Sequence, residues 1–365
     1  MAPIRVGIIG AAPERSWAAT AHIPALQSLP EYRIVAVSTT RQESANAAAQ
    51  KFAAPLAFDN YHSLVNHPEV DLVVVSVKVP HHLEMVEAAS RARKNIYCEW
   101  PLGRNLAEAE AMAGFAEKAG IRTAVGLQAR SSPEVNFIRD LISNGYIGDV
   151  LSTTLVATGL RWGPSVDQYN VYLLDKRNGA TMITIPFGHT IDALCSCLGE
   201  FIEVDATWAI RRKDITVVAS GESHPMTAHD QLAVTGVLRG GAVASVHYRG
   251  GVSRAHNFLW EIAGTEGELQ VTASGGHAQM FRLSVAGAQG KDRELKTLPL
   301  PKEYSLLPEL KMPEANIAHA YKRFATDVQT GTHTIPDFAD AVVRHRMIDV
   351  VERAAETGIR QQIPF

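Results

Sequence analysis

The sequence predicts an α/β protein in which an N-terminal domain with a parallel sheet is followed by an α+β domain with a large, mostly antiparallel, open sheet. The first domain is indicated by a glycine turn directly after an apolar strand, and by strands that alternate with helical stretches at the spacing of βαβ units. The second domain is indicated by a change, after about residue 128, to a succession of strand patterns. We therefore predict domains over residues 1–128 and 129–365.

The first βα unit opens with the apolar run Ile4–Ile9, continues into a glycine turn and leads to a helical pattern over residues 17–29. Strand, glycine turn and helix in this order are typical of a Rossmann dinucleotide-binding domain, whose fingerprint is G-x-G-x-x-G. Only Gly10 of that fingerprint is present, because Ala12 occupies the second glycine position and residues 13–16 lengthen the loop. Further strands favour nucleotide binding over a simple tight turn, and they are predicted at residues 33–38, 70–77 and 94–98.

The end of the second strand predicts which dinucleotide is bound. An NAD-specific domain carries an acidic residue there for the ribose hydroxyls, whereas this strand ends in Ser38, Thr39, Thr40 and Arg41. Small hydroxyl groups and a guanidinium suit the 2′-phosphate of NADP, because the cation can neutralise its charge through paired hydrogen bonds. The sequence therefore favours NADP, with NAD as the second possibility. The alternative is that Arg41 is an ordinary solvated residue at the start of the next helix.

Composition excludes several classes of protein. The formal net charge is −3 and there is no basic cluster, so direct nucleic-acid binding is not expected. No apolar stretch reaches the length of a membrane span and no signal sequence precedes the first strand, so we expect a cytoplasmic protein without membrane contact. The cysteines Cys98, Cys195 and Cys197 suggest neither a disulfide framework nor a metal site, and core packing is the better interpretation.

The second domain begins with a helical pattern over residues 133–144 and closes with two helical patterns over 315–330 and 337–357. Between them, the predicted strands are 150–159, 206–211, 231–238, 242–248, 258–264 and 267–271, with a helix at 190–198 and a hairpin turn at the Gly/Ser-rich passage 273–277. A broad sheet that is open on one side is a usual route to a symmetric dimer. We therefore expect a homodimer or a higher homo-oligomer.

Two short segments resemble the active site of a known dehydrogenase family. They are Cys98-Glu99-Trp100-Pro101-Leu102, after a predicted strand, and Phe187-Gly188-His189-Thr190-Ile191-Asp192. With further matching segments at residues 16–22, 78–80, 127–133 and 141–149, the chain resembles the Gfo/Idh/MocA family, the glucose-fructose oxidoreductase and inositol dehydrogenase group, over nearly its whole length. Within that family it is most similar to the branch of the fungal galactose-pathway repressor. The resemblance implies a Rossmann domain followed by the α/β domain of the family.

The resemblance also implies a catalytic set, of which this chain keeps one member. Dehydrogenases of the family use the lysine of Glu-Lys-Pro, together with an aspartate and a histidine in a D-x-x-x-H pattern. Here Trp100 stands in place of the lysine and Ile185 in place of the aspartate, so only His189 remains. A histidine within reach of a substrate hydroxyl can act as general acid and base. Asp192, three residues further on, is not expected to replace the missing aspartate.

The predicted site residues are therefore as follows. The catalytic candidates are His189, Lys78 and Tyr172, and the substrate contacts are Trp100, Arg130, Trp162, Tyr169 and His189. The cofactor contacts are Gly10, Ala11, Ala12, Arg15, Ser16, Trp17, Ser38, Thr39, Thr40, Arg41, Val77, Lys78, Val79, Pro80, His82, Glu99, Trp100 and Gln128, and no metal ligand is predicted. Structural alternatives stay open: a satisfied histidine at a helix start, a surface lysine, packed tyrosines and, for Arg130, an ordinary salt bridge.

Three functions are compatible with this pattern. The favoured one is an NAD(P)-dependent oxidoreductase, acting on a sugar, a polyol or a related cyclic alcohol or ketone, with an altered active site. The alternative from another class is a non-catalytic NAD(P)-binding regulator that senses a small-molecule effector, since two of the three chemical groups are missing. The third is a lyase or isomerase that keeps its cofactor tightly bound.

Overall fold

The computed structural model describes residues 2–364, and these form two compact units. One unit contains the described residues up to Ser131 together with Leu307–Val343, and the other contains Ser132–Leu306 together with the described residues from Arg344 onward. The predicted division had assigned the whole of 129–365 to the second domain. Leu307–Val343 groups with the first unit because the helix Glu314–Thr330 packs apolar residues such as Phe324 into the core of that unit.

The helices of the described chain can be named in order. They are α1 Ile23–Gln27, α2 Gln42–Phe52, α3 Tyr61–Val65, α4 His82–Arg91, α5 Leu106–Ala119, α6 Pro133–Ser143, α7 Gly188–Leu198, α8 Glu314–Thr330 and α9 Phe338–Thr357. Wider π-helical turns, Ala18–His22 and Ile183–Phe187, lead into α1 and α7. No helix within residues 2–364 combines the length and the apolar composition that crossing a bilayer requires.

The first unit is built on a six-stranded parallel sheet of order β3-β2-β1-β4-β5-β6. Its strands are β1 Ile4–Ile9, β2 Tyr32–Ser38, β3 Leu56–Phe58, β4 Leu72–Val75, β5 Asn95–Cys98 and β6 Thr123–Val125. Every residue of β4 is buried, as expected for a strand covered on both faces. The strand order reverses between β1 and β4, and ligands of such sheets bind beyond the carboxyl ends at this switch point. The predicted parallel α/β domain is confirmed.

The second unit contains a nine-stranded sheet of order β17-β16-β15-β14-β7-β13-β12-β9-β18 and a small sheet of order β11-β10-β8. The strands are β7 Val150–Thr158, β8 Ser165–Val166, β9 Phe201–Ala209, β10 Asp214–Val217, β11 Ser223–Pro225, β12 Gln231–Leu238, β13 Val243–Arg249, β14 Phe258–Gly264, β15 Gly267–Ala273, β16 Ser284–Gln289, β17 Lys296–Thr297 and β18 Gln361–Gln362. In the large sheet β7 and β13 pair in parallel, and their remaining neighbours pair antiparallel. The large, mostly antiparallel sheet is confirmed.

The two faces of the nine-stranded sheet differ. Val234 and Val246 point to one face and are buried, whereas Thr235 and Ser245 point to the other and are exposed. On the buried face, the hydroxyl of Tyr248 lies 2.6 Å from Oγ1 of Thr190, so α7 covers that face. The opposite face is the open face of the sheet, and within the second unit it lies towards solvent.

One acidic side chain of α9 makes stability depend on pH. Burial, reinforced by the nearby carboxylates of Asp349 and Glu356, raises the pKa of Glu352 from 4.5 to about 7. Because the folded chain then holds this proton more tightly than the unfolded chain, stability is lost as the pH rises between these two values. We expect Glu352→Gln to raise the free energy of unfolding by about 1 to 3 kcal/mol at pH 8 and by much less at pH 4.5.

Urea unfolding at the two pH values measures this difference. The matched control is Glu356→Gln, since Glu356 is an exposed carboxylate on the same helix. An equal effect of Glu352→Gln at both pH values would show that protonation of Glu352 is not involved.

Candidate functional site

At the switch point of the parallel sheet, the turn after β1 comes close to the ends of its neighbours. Gly10 has a φ of +90°, and a Cβ at this position would lie 2.3 Å from the carbonyl oxygen of Ser76, so only glycine fits. Its N–H donates to the carbonyl oxygen of Ser38 at 2.9 Å. The loops after β1, β2 and β4 are thereby held together where a dinucleotide binds in this type of fold.

The loop that follows Gly10 is stabilised from inside. The Ser16 hydroxyl donates to the carbonyl oxygen of Ala12 at 2.8 Å and accepts the N–H of Ala19 at 3.1 Å, so its hydrogen-bonding capacity serves the loop. Trp17 is half-buried, while Arg15 is exposed on the same loop. Of the residues predicted here as cofactor contacts, Arg15 therefore has the more accessible side chain, and Ser16 shapes the loop.

The predicted 2′-phosphate site lies where β2 leads into α2. Thr39 donates its hydroxyl to the carbonyl oxygen of Arg41 at 2.9 Å and lies 2.7 Å from the hydroxyl of Ser44, so this side chain orders the turn. Arg41 is exposed, and no side chain caps the N-terminus of α2 that follows it. A guanidinium beside uncapped N–H groups suits an anion, although Glu43 in the first turn opposes it.

A buried hydrogen-bonded group stands at the end of β5. The carboxylate of Glu99 accepts hydrogen bonds from Nε2 of Gln128 at 2.9 and 3.0 Å, and its Oε1 lies 3.0 Å from Nε2 of His22. On its other side, Nδ1 of His22 lies 2.7 Å from the hydroxyl of Tyr321 in α8. These contacts fix the orientation of Glu99. Sequence reasoning assigned no role to His22 and missed Tyr321, which is more than two hundred residues away in the chain.

The prediction that His82 contacts the cofactor needs correction. The ring is fully buried: Nδ1 lies 3.0 Å from the carbonyl oxygen of Pro101 and 3.1 Å from that of Leu102, and Nε2 lies 3.1 Å from that of Val77. Burial lowers the pKa of His82. The ring therefore joins the loop after β4 to the loop after β5, and Trp100 is also buried within this region.

Two other predicted residues of the first unit are placed as follows. Lys78 is half-buried at the loop after β4. Arg130 donates to Oδ1 of Asp340 at 2.8 Å, and both residues belong to the first unit. An ordinary salt bridge, the alternative interpretation of Arg130, is therefore present, which leaves its predicted substrate contact a prediction.

In the second unit, His189 lies in the first turn of α7. The π-helical turn Ile183–Phe187 leads into this helix, and the side chain of His189 is buried. Burial and, to a smaller extent, the nearby His277 lower the pKa of His189 to about 3, while the charge of Asp192 acts in the opposite direction. The imidazole is therefore neutral at neutral pH, with one ring nitrogen that can accept a hydrogen bond. Ile185, one turn earlier, contributes only an apolar side chain.

Asp192 belongs to a buried ion-pair group. Its Oδ1 accepts from Nε of Arg344 at 3.2 Å, and both side chains are fully buried. The same guanidinium donates to Glu200 at 2.8 and 3.2 Å. Asp192 thus stabilises the packing of α7 against α9, and the expectation that it does not replace the missing aspartate stays a prediction.

The aromatic candidates of the second unit separate into core and surface. Trp162 is fully buried and its Nε1 donates to the carbonyl oxygen of Leu173 at 3.1 Å, so its predicted substrate contact is corrected to a core role. Tyr169 is 44% exposed. Burial, with a smaller contribution from Tyr169, raises the pKa of Tyr172 to about 12. At neutral pH this phenol is a hydrogen-bond donor.

Sequence reasoning also missed His277. The residue follows two glycines after β15, and the passage was interpreted as a hairpin turn. In the structure its ring is buried, with Nε2 at 3.4 Å from the carbonyl oxygen of Gly159, and burial lowers its pKa to about 4. The signal that could have found it is the combination of a histidine with close-packing glycines. Among residues 2–364, no cluster of three histidines, cysteines or acids could hold a metal ion.

Comparison with known proteins identifies the family. A model described as "Oxidoreductase family, NAD-binding Rossmann fold" matches residues 4–127, and one described as "Gal80p, C-terminal domain" matches residues 133–273. Dehydrogenase aclE of Aspergillus oryzae is 31% identical over 372 residues, and the match covers 97% of each chain. The chain belongs to the Gfo/Idh/MocA oxidoreductase family. The predicted family and an NAD-binding Rossmann domain are thereby confirmed.

Some similar members of the Gfo/Idh/MocA family are named as regulatory proteins and others as dehydrogenases. The galactose/lactose metabolism regulatory protein GAL80 of Saccharomyces cerevisiae is 27% identical over 98% of this chain and 94% of its own. Levoglucosan dehydrogenase of Pseudarthrobacter phenanthrenivorans is 29% identical over 66% of this chain and 65% of its own. The crystal structure of a super-repressor mutant of Gal80p from S. cerevisiae superimposes with a TM-score of 0.90, at 26% identity and 99% and 98% coverage. The predicted proximity to the galactose-repressor branch is also confirmed.

Proposed function

We propose that the protein is an NAD(P)-dependent oxidoreductase acting on a sugar, a polyol or a related cyclic alcohol or ketone, with an altered acid/base set. The observation that carries this proposal is the buried, neutral His189 at the position of the family's histidine. The same class is supported by 31% identity with a protein named a dehydrogenase over 97% of the chain, and by 29% identity with levoglucosan dehydrogenase over 66% of it.

The residues of the first unit fit the cofactor. The close approach at Gly10 leaves no space for a side chain, as a pyrophosphate-binding turn requires, and Glu99 is held at the end of β5 by Gln128 and His22. Arg41 can neutralise a 2′-phosphate, which favours NADP over NAD. When bound, the nicotinamide accepts or donates the hydride, and that chemistry is the cofactor's own.

The protein's residues supply the proton chemistry. During alcohol oxidation, His189 accepts the proton of the hydroxyl group, while Tyr172, whose raised pKa keeps it protonated, can donate a hydrogen bond to an oxygen. Trp100 provides no charge in place of the family's lysine. The negative charge that develops on the substrate oxygen is then stabilised by neutral donors, and the substrate is expected to differ from those of family members that keep the lysine.

A panel assay tests this function. Protein with NADP or NAD is incubated with sugars, polyols and aromatic alcohols, and cofactor reduction is followed by absorbance, while fluorescence titration shows that the cofactor is bound. Turnover of at least one alcohol is expected. Cofactor binding without turnover across the panel would favour the second candidate, a non-catalytic regulator, which is supported by the Gal80p-like match over 133–273 and by the loss of the family's lysine and aspartate.

Cofactor preference gives a separate prediction. Arg41→Ala should weaken NADPH binding by about 1.5 to 3 kcal/mol, the usual value of a hydrogen bond to a charged group, and leave NADH binding nearly unchanged. Fluorescence titration of both cofactors measures the difference. Arg33→Ala, which removes an exposed arginine of β2, is the matched control. Equal losses for NADPH and NADH would place Arg41 away from the phosphate.

We also propose that the open face of the nine-stranded sheet forms a homodimer. In one row of this face, His247, Val156 and Leu259 are neighbours on β13, β7 and β14, and Val243 of β13 is 59% exposed. Val156, Leu259 and Val243 are apolar residues among small polar ones, which suits burial against a second copy. In a two-fold symmetric dimer, each copy would contact the other through this same face.

Light scattering at micromolar concentration tests the dimer. We expect a mass of about twice 39.6 kDa, and Val243→Arg should lower it towards the monomer because it places a charge in the interface. Val218→Arg is the control, since Val218 is a valine of the second unit that is 67% exposed and follows β10. A mass near 39.6 kDa for the unmodified protein would exclude the dimer.

A further inference from the structure

The segments that carry His189 and His277 are fastened together by one side chain. The hydroxyl of Tyr248 lies 2.6 Å from Oγ1 of Thr190 and 2.8 Å from the carbonyl oxygen of Gly276. Both oxygens accept from the phenol, which shares its single proton between them. Thr190 follows His189 and Gly276 precedes His277, so this bridge brings the two histidine-bearing backbones together within the second unit.

The loop before His277 is fixed as closely. A Cβ on Gly276 would lie 1.9 Å from the carbonyl oxygen of Thr158, so the backbone at this position lies directly against the end of β7. His277 is 4% exposed and His189 is 3% exposed. Among the residues that the structure describes, none forms a hydrogen bond with Nδ1 of His277, although this atom is buried. A buried nitrogen without a partner costs free energy, so its presence calls for an explanation such as a functional role.

We propose that His277 is the second proton-binding group of the site, and that it forms with His189 a pair that takes up one proton from a substrate alcohol. The inference rests on the proposed oxidoreductase function. In the oxidation, the carbinol C–H bond breaks and its electron pair leaves as hydride to the bound nicotinamide. The O–H proton goes to the histidine pair, and the carbonyl double bond forms.

The charges around the pair limit it to one proton. Asp192, on the helix of His189, favours a positive charge there, and Asp192 is itself paired with Arg344. Arg161 disfavours a positive charge on His277, and each imidazolium would repel the other. A second proton is therefore excluded while the first is held, and the pair supplies the acid/base capacity that Ile185 cannot.

Two amide variants separate proton binding from packing. His277→Gln places an amide near the position of Nε2 and can keep the contact with Gly159, and His277→Asn places one near Nδ1, but neither amide binds a proton at neutral pH. We expect both variants to lower kcat by about 10- to 100-fold, to leave KM and NADPH affinity nearly unchanged, and to shift the pH profile of kcat. Thermal unfolding shows whether each variant remains folded.

A double-mutant cycle with His189→Gln completes the test. If the two rings act as a pair, the double variant loses little more activity than the single ones, whereas two independent roles give multiplied losses. Wild-type kcat and pH profile in His277→Gln, or multiplied losses in the cycle, would overturn the inference and leave the proposed function standing. Bound cofactor without turnover in the wild type would instead remove the proposed function, and this inference with it.

Discussion

Replacing His189 with alanine is expected to lower turnover by about 10²- to 10⁴-fold while the affinity for NADPH hardly changes, which is the usual scale for loss of a general acid and base. The physical reason is that the family's other two groups are absent: Trp100 carries no charge and Ile185 carries no proton. His189 is in the second unit, whereas the residues that fit the cofactor are in the first, so the change should affect chemistry and not cofactor binding.

The measurement is kcat on the best substrate of the alcohol panel, with fluorescence titration of NADPH in parallel. His256→Ala is the matched control, because His256 is an exposed histidine of the second unit. If His189→Ala kept full turnover, the acid/base role of His189 would have to be abandoned.

The largest loss of stability is expected from Arg344→Met. This change leaves Asp192 fully buried without its partner and removes both hydrogen bonds to Glu200, and breaking one side of a buried ion pair costs about 3 to 5 kcal/mol. Guanidinium unfolding measures the free energy directly. Arg353→Met on the same helix is the control, because its pair with Asp349 is exposed and such pairs contribute about 0 to 1 kcal/mol.

A second variant checks the cause of that loss. Arg344→Met combined with Asp192→Asn no longer buries an unpaired charge, so part of the stability lost in the single variant should return. Similar losses in Arg344→Met and Arg353→Met would show that the buried group contributes no more than a surface pair.

Local patterns in the sequence were sufficient for much of the fold. The strands Gln231–Leu238 and Phe258–Gly264 were predicted with their observed bounds, because alternate apolar residues face a core in β12 and turn residues flank both strands. Strand β9 begins at Phe201, whereas the predicted strand began at residue 206. The prediction missed the first residues because the acidic side chains of Glu203 and Asp205 interrupt the apolar run. The short β3 and β6 were not predicted, since three residues give too little periodicity.

Tertiary placement could not be predicted in the same way. The apolar face of α8 shows that the helix packs, but not that it packs in the core of the first unit, because that depends on where the chain returns. Trp162 shows the same limit: an indole suits both a sugar face and a core, and its bond to Leu173 appears only in three dimensions. His277 and Tyr321 were missed because distant segments bring them to their partners.

The candidate site was predictable only as far as the family motifs extend. The motifs were sufficient to place His189, Trp100 and Ile185. The ion pair between Asp192 and Arg344 could not be predicted, because it depends on a contact with α9. The motifs also give no information about burial, and burial is the first cause of the lowered pKa of His189.

The central claim is that this chain moves a hydride between an alcohol and a nicotinamide. The most direct test of this claim is a deuterium-transfer experiment. Protein with bound NADP is incubated with an alcohol of the panel that carries deuterium on its carbinol carbon, and the recovered cofactor is analysed by mass spectrometry. A labelled cofactor with release of the ketone indicates an oxidoreductase, and a labelled cofactor without it indicates a lyase or isomerase that returns the hydride. We predict labelled cofactor and released ketone from the wild type and little label from His189→Ala; unlabelled cofactor from a wild type shown to bind NADP would contradict the claim.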